Sequence, residues 1–435
     1  MMRALFSGVA GLKTHQTKMD VIGNNIANVN TVGYKSQSVS FSDVLYQTTQ
    51  SASGPNTATG RGGTNAMQIG LGSKVASMST SVSDPGGSQA TNNPFDLMIN
   101  GDSMFIVNDG TQNFFTRAGN FTTDAAGNLV TSAGYSVMGW QADANGNIQR
   151  ATVSPLAIYS SENKYATPTQ TTKTTITGNI NKNDESFSSA AGTISTNVSF
   201  YDNLGYEYRA TLSIKQDAAD PYSYNITCTG MACNGKDMGL AEADLQAVLN
   251  NYNIKFKDAD GSLDTGNPMT LTVKGLGNSF DQDITVDISQ ITCFGKDTSL
   301  VPKKGDAGGQ DAGLAAGKMT TVSIQTDGKI IAGYDNGATK TLGQIVVATF
   351  PNLAGLEKAG SNLYTATMNS GEFDGIGQDI TADGGSFAPG YVEMSNVDLA
   401  GQFTDMITTQ RGFQSNSRII TVSDTLLEEL INLKR

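Results

Sequence analysis

The chain has 435 residues, a formal net charge of −12, 49 glycines, 10 prolines and 16% charged residues. That length supports about two to four domains with real cores, and the acidity excludes a nucleic-acid partner, whose binding rests on Lys and Arg neutralising phosphates. A Gly-rich, Pro-poor chain with short apolar runs between Ser, Thr and Asn is the composition of a mainly β protein with many turns.

Three cysteines, Cys228, Cys233 and Cys293, occur without a CxxC, and His15 is the single histidine. This is too few ligands for a zinc site and argues against a Ser-His or Cys-His hydrolase; the cysteines read as small buried hydrophobes or free thiols. No run approaches the roughly 18–20 apolar residues of a membrane span, so no membrane insertion is expected. The apolar stretch after Arg3 is short and broken by Lys13, so no cleavable secretory signal is expected either.

Residues Arg3 to Asn28 read as one helix. Leu5, Leu12, Met19 and Ile26 are apolar at seven-residue intervals, and Val9 and Ile22 widen that face. Asn24, Asn25 and Asn28 load the exit with side chains that compete for backbone hydrogen bonds, and Gly33 is a natural stop. A stripe of period seven needs a partner helix.

From residue 36 to 87 the chain is rich in Ser, Thr, Gly and Gln, most of all over Ser51 to Asn65, and reads as a polar extended linker or arm. Its Gly60-Arg61-Gly62-Gly63 lacks the lysine and the strand-to-helix context of a phosphate loop. Strands follow. Phe95 to Ile99 reads as an alternating strand ending in a hairpin turn at Asn100-Gly101, and further turns fall at Asn108-Asp109-Gly110, Ala126-Gly127-Asn128 and Asn145-Gly146-Asn147. Between Leu156 and Lys318 come Thr/Ser-rich strands with one helix, Leu240 to Leu249. There Asp258 to Asp264 resembles a calcium loop only superficially: Leu263 and Met269 occupy the Gly and Glu positions, and a turn is the better reading. Thr321 to Phe350 returns to tight strands.

The C-terminal helix starts near Ser395 and Asp398, spaced as in a capping box. It carries a second seven-residue stripe, Leu399, Met406, Phe413, Ile420 and Leu427. The neighbouring seam, Phe403, Gln410, Ser417, Asp424 and Ile431, is mixed. That favours one buried stripe within a larger helical packing over a two-stranded coiled coil. Lys434 and Arg435 complement the dipole of the last turn, and Glu428-Glu429 read as an exposed pair. Nothing in the chain reads as an active site, and neither a cofactor nor a metal is expected. Two helices with unsatisfied stripes at opposite ends point to a protein that pairs its termini or polymerises through them.

Asp20 to Lys35, with Asn24, Asn25, Ala27, Asn28, Gly33, Tyr34 and Lys35, resembles the N-terminal signature of the bacterial flagellar rod and hook axial proteins. Glu393 to Leu399, with Ser395, Asn396, Val397 and Asp398, followed by Gln410-Arg411-Gly412-Phe413, is similar to the matching C-terminal signature. Phe115 to Phe121 and Asp124 to Val130 resemble a β-domain common to distal rod and hook, and Val198 to Gly205 resembles the outer domain of the hook branch.

The resemblance implies a multidomain, mainly β fold of nested inner and outer β-rich domains, with paired N- and C-terminal α-helices forming an axial helical domain. The expected divisions are residues 1–35 plus 395–435 (axial core), 36–87 (arm), 88–155 plus 319–394 (inner β) and 156–318 (outer β). It implies axial self-assembly through Leu5, Val9, Leu12, Met19, Ile22 and Ile26 and through Leu399, Phe403, Met406, Phe413, Ile420, Leu427 and Ile431. It further implies a hollow, curved, torque-transmitting homopolymer outside the cell. Its expected partners are the distal rod, hook cap and hook-filament junction proteins and the flagellar type III export apparatus. A distal rod subunit, or a secreted β-rich adhesin or glycan-binding protein, is the alternative.

Overall fold

The structure is a computed structural model describing residues 2–55, 60, 62–143, 146–187, 192–274 and 280–433. Arg61, Asn145, Lys434 and Arg435 lie outside the described residues, as does part of the Ser51–Asn65 stretch. The chain is multidomain and mainly β with a helix at each end, and it divides into two compact units. The first comprises Met1–Ser160, Val322–Ile331 and Thr341–Arg435; the second comprises Ser161–Thr321 and Ala332–Lys340.

In the first unit the end helices span Met2–Ala27 and Leu399–Asn432. Asp398 itself caps the second helix, its carboxylate accepting from Ala400 N at 3.0 Å, while Ser395 Oγ accepts from Val397 N at 3.3 Å. The cap is therefore the residue adjoining the helix, not Ser395. The polar stretch after the first helix is more ordered than a linker. Gln37–Asp43 pairs antiparallel with Ser73–Thr80, and Tyr46–Gln50 pairs with Met67–Gly70. Hydroxyl pairs such as Ser38–Ser79 (2.9 Å) and Ser40–Ser77 (2.6 Å) span the first ribbon. These serine pairs alternate with the apolar pairs Val39–Met78 and Phe41–Val75, so the first ribbon has one polar and one apolar face.

The β part of this unit is built around Met104–Asn108. That strand pairs with Asn113–Thr116 through the Asn108-Asp109-Gly110 turn and with Val347–Ala348 on its other edge. Phe121–Thr123 and Leu129–Thr131 form the hairpin expected at Gly127, whose φ is 87°. Asn100-Gly101 turns the chain but joins no hairpin. Leu97–Asn100 pairs instead with Ser386–Pro389, and Leu97, Met98 and Ile99 are all buried. A strand covered on both faces is a continuous apolar run, not an alternating one. Met104, Ile106, Phe115, Trp140, Val346, Phe350 and Tyr364 share one core, with Phe115 and Phe350 edge to face at 4.7 Å.

In the second unit a six-stranded sheet, including Ile194–Tyr201, Glu207–Gln216 and Ser223–Cys233, and a five-stranded sheet centred on Lys173–Asn179 contribute to one core. Thr196, Val198 and Phe200 alternate inward along Ile194–Tyr201. The expected helix is Glu242–Val248. Cys228 and Cys293 are buried, and all three cysteines are free thiols. At Asp258–Asp264 the Asp260 carboxylate accepts from Ser262 N and Oγ at 3.0 and 2.7 Å, and Gly261 has φ 65°, which makes it an Asx turn.

Candidate functional site

The two end helices run antiparallel against each other, and their closest approach uses residues without bulk. A Cβ at Gly11 would lie 2.6 Å from the Asn416 side chain, one at Gly8 3.3 Å from Ile420, and one at Gly412 2.7 Å from the His15 ring. Further along, Lys18 Nζ and Asp405 Oδ1 are 3.4 Å apart, and Asn25 Nδ2 donates to Gln402 Oε1 at 3.1 Å. Glycine inside a helix costs about 1 kcal/mol relative to Ala, so the gain here is backbone proximity. The first ribbon leans on the same pair: Phe41 meets His15 edge to face at 5.7 Å, and Ser73 Oγ is 3.3 Å from Thr14 Oγ1. His15 Nδ1 is buried without a hydrogen-bond partner, and burial, then the nearby Lys18 charge, hold its pKa below the ordinary value.

Of the apolar stripes, Ile22 is buried, and Leu5, Leu12, Met19 and Ile26 are half-buried, as are Met406, Phe413, Ile420 and Leu427. Val9, Leu399, Phe403 and Ile431 are exposed. The seven-residue stripe therefore joins the glycine line only at Ile420 and otherwise flanks it, because an α-helix drifts about 20° per seven residues.

Below the helices the signature residues meet in one buried knot. Lys35 Nζ lies 2.7 Å from Glu393 Oε1, both side chains fully buried, and also donates to Asp84 O at 2.6 Å. Arg117 Nη1 is 3.6 Å from Glu393 Oε2, and its Nη2 donates to Gly101 O at 2.6 Å. Gly86 N donates to Glu393 Oε1 and Gly33 N to Glu393 O, at 2.9 and 2.8 Å. Burial pushes the pKa values of Lys35 and Arg117 down while Glu393 opposes it, and burial raises that of Tyr34. Lys358 stands 4.7 Å over the Tyr34 ring and donates to Lys35 O at 3.1 Å.

Asn25 and Asn396 are the polar hinges of this knot. Asn25 Oδ1 accepts from Gln37 N (3.0 Å) and Tyr34 Oη (3.2 Å), while its Nδ2 donates to Gln37 O (2.8 Å). Asn396 Oδ1 accepts from Ser36 N (2.8 Å), and its Nδ2 reaches Ser81 O (2.9 Å) and Asp84 O (3.2 Å). Asn24 Nδ2 donates to Tyr34 Oη at 3.2 Å, and Asn28 bonds back to Asn24 and to Thr31. Gly33, at φ 69°, has room for no Cβ: one would lie 2.6 Å from Ala118 N. Ala27, Gln410 and Arg411 are exposed, Val397 is half-buried, and none of them enters the knot.

Arg117 and the glycines Gly8, Gly11 and Gly412 were not legible as site residues. The available signal was a glycine inside an apolar helical pattern, which marks close packing.

A knot that gathers the residues after the first helix and before the second fixes the base of a helix pair. Four family models match the chain in register with these parts. "Flagella basal body rod protein" covers residues 5–35, and "Flagellar basal body rod FlgEFG protein C-terminal" covers 388–433. "Flagellar hook protein FlgE/F/G D1 domain" covers 98–181, and "Flagellar basal body protein FlaE D2 domain" covers 170–306. Flagellar hook protein FlgE of Borreliella burgdorferi is 37% identical over 100% of both chains. The chain belongs to the flagellar hook protein FlgE family.

FlgE of Treponema pallidum is 33% identical, and flagellar basal-body rod protein FlgG of Bacillus subtilis 30%, each over 100% of both chains. The FlgE family is structural, and membership makes this chain a structural subunit of the flagellar hook. No described helix is long and apolar enough to cross a membrane.

Proposed function

We propose that this hook subunit polymerises through its paired end helices into a hollow, curved, flexible tube that passes torque from rod to filament. It carries no catalytic activity and acts outside the cell after type III export. The observation that carries the reading is the combination of a helix pair half-buried in a single copy with a base clamped by fully buried ion pairs. Lys35, Arg117 and Glu393 are spent on that clamp.

The axial core is residues 1–35 plus 395–435, the arm 36–87, the inner β domain 88–155 plus 319–394 and the outer β domain 156–318. Its neighbours in the flagellum are copies of itself, the distal rod protein, the hook cap and the hook-filament junction proteins. The FlgG relative supports a second reading, a distal rod subunit; the match to a D2 domain over residues 170–306 favours the hook.

Deleting both helices, to leave residues 29–398, tests this reading. A folded monomer that no longer forms tubes is expected, and tubes formed by the truncated chain would overturn it. Straight tubes from the full chain would favour the rod.

A further inference from the structure

The segment Val32–Lys35 joins the first helix to the first ribbon, and a hairpin of the β part takes hold of it. The hairpin pairs Glu357–Gly360 with Leu363–Thr365. Its second strand is hydrogen-bonded to Asn113–Thr116, with Leu363 opposite Thr116 and Tyr364 opposite Phe115, and Tyr364 sits in the Phe115 core. The hairpin is thus anchored in the sheet while its tip reaches the base of the helices. At that tip Ser361 and Asn362 have φ of 50° and 59°. Side-chain-bearing residues keep such a left-handed conformation only where their surroundings hold it.

Two side chains of this hairpin donate to backbone carbonyls of the segment. Asn362 Nδ2 bonds to Val32 O at 2.9 Å, and Lys358 Nζ bonds to Lys35 O at 3.1 Å. Between these points Gly33 lies against the Ala118 backbone, and its N–H donates to Glu393 O. Thr116 Oγ1 donates to Asn362 O at 2.9 Å and accepts from Ala118 N at 3.0 Å, which stitches the hairpin tip to the Ala118 loop. A short segment held at both ends and in the middle cannot turn without breaking one of these contacts.

Lys358 is an expensive way to fill its place. Its half-buried ammonium faces Lys35 O and the Tyr34 ring, and among the described residues no carboxylate forms an ion pair with it. Burial alone pushes its pKa down. Desolvating a cation without a counter-charge is unfavourable, and an unbranched apolar side chain of the same reach would cover Tyr34 without that penalty. What the ammonium adds is a directional bond to one backbone carbonyl.

We propose that this hairpin is the coupling through which load passes between the helix pair and the β part of the first unit, with Lys358 and Asn362 as its positioning residues. The inference rests on the reading that the chain forms a torque-bearing tube, and it names where the load crosses within one subunit.

The test is the full-length chain carrying Lys358→Met and Asn362→Gly, which removes both donors while glycine keeps the left-handed turn. Lys358→Arg, which retains a donor and a cation able to stack on Tyr34, is the control. In the soluble monomer the amides of Gly33 and Ser36, bonded to Glu393 O and Asn396 Oδ1, should exchange about tenfold faster or more in the double variant. Exchange across Met104–Asn108 and the thermal midpoint should stay as in wild type, and the arginine variant should match wild type throughout. Tubes of the double variant should lose torsional stiffness in tethered cells. Unchanged exchange at Gly33 and Ser36, or a wild-type monomer without protection there, overturns the proposal whether or not the variant assembles. Variant tubes as stiff as wild type overturn it too, as does faster exchange that extends across Met104–Asn108, the mark of general destabilisation. If the wild-type chain forms no tubes, the torque-bearing reading falls; if it forms them and the variant fails these expectations, the coupling alone falls.

Discussion

Lys35 Nζ and Glu393 Oε1 are 2.7 Å apart across 358 positions of sequence, with no solvent access to either side chain. Removing one partner of such a pair strands the other charge in the interior. Glu393→Gln, which leaves both Lys35 and Arg117 unmatched, should destabilise the first unit by about 3–5 kcal/mol. Replacing the pair by Lys35→Met with Glu393→Leu should cost less than the single change, because it leaves one unmatched buried charge, Arg117, in place of two. Urea unfolding midpoints for the three chains check the order.

Asn25→Leu keeps the branched shape of the side chain but removes the acceptor of the Tyr34 hydroxyl and strands the Gln37 backbone and Gln402. Each unpaired buried group costs about 1–3 kcal/mol, so the helix pair should melt ahead of the β-sheets. Amide exchange over Met2–Ala27 reports this directly: faster exchange there, with the Ser223–Cys233 strand unchanged, is the expected result.

Gly33→Ala meets two obstacles at once. The left-handed φ of 69° costs an L-residue about 1–2 kcal/mol, and the new methyl would stand 2.6 Å from Ala118 N, a backbone atom that cannot rotate away. The variant should lose hook assembly and motility while its second unit keeps its thermal transition in calorimetry.

His15 gives the helix pair a pH dependence with a definite sign. Its folded pKa lies below the ordinary 6.5, because burial and then Lys18 disfavour the cation. The unfolded chain therefore binds the proton first. The contribution is fully present above pH 6.5 and is lost as pH falls through the lowered folded value. His15→Gln should abolish that slope, so wild type and variant should converge or cross on acidification in a melting series from neutral to mildly acidic pH.

The sequence displays the helices at Leu5–Ile26 and Leu399–Leu427 because apolar periodicity reports a face directly. It does not display the line of contact, because Gly8, Gly11 and Gly412 contribute by having no side chain. The ribbon Gln37–Asp43 with Ser73–Thr80 stays hidden because the Ser, Thr and Gly that dominate the segment mask the short alternation of Val39 and Phe41 with serines. The knot was half legible: Lys35 and Asn396 stood within the signature motifs, but a fully buried arginine such as Arg117 runs against the usual placement of charge. Phe95–Ile99 reads as an alternating strand because its apolar run, Leu97-Met98-Ile99, is too short to show that all three side chains are buried.

Asn396 binds Ser36, Ser81 and Asp84 with one side chain. The seat of the first helix is therefore unfinished until the segment leading into the last one has been delivered. Closing so long a loop is entropically unfavourable and, for contacts this distant in sequence, slow. The base of the helix pair thus ties the two ends of the chain to each other: neither helix is anchored until both flanking segments are in place.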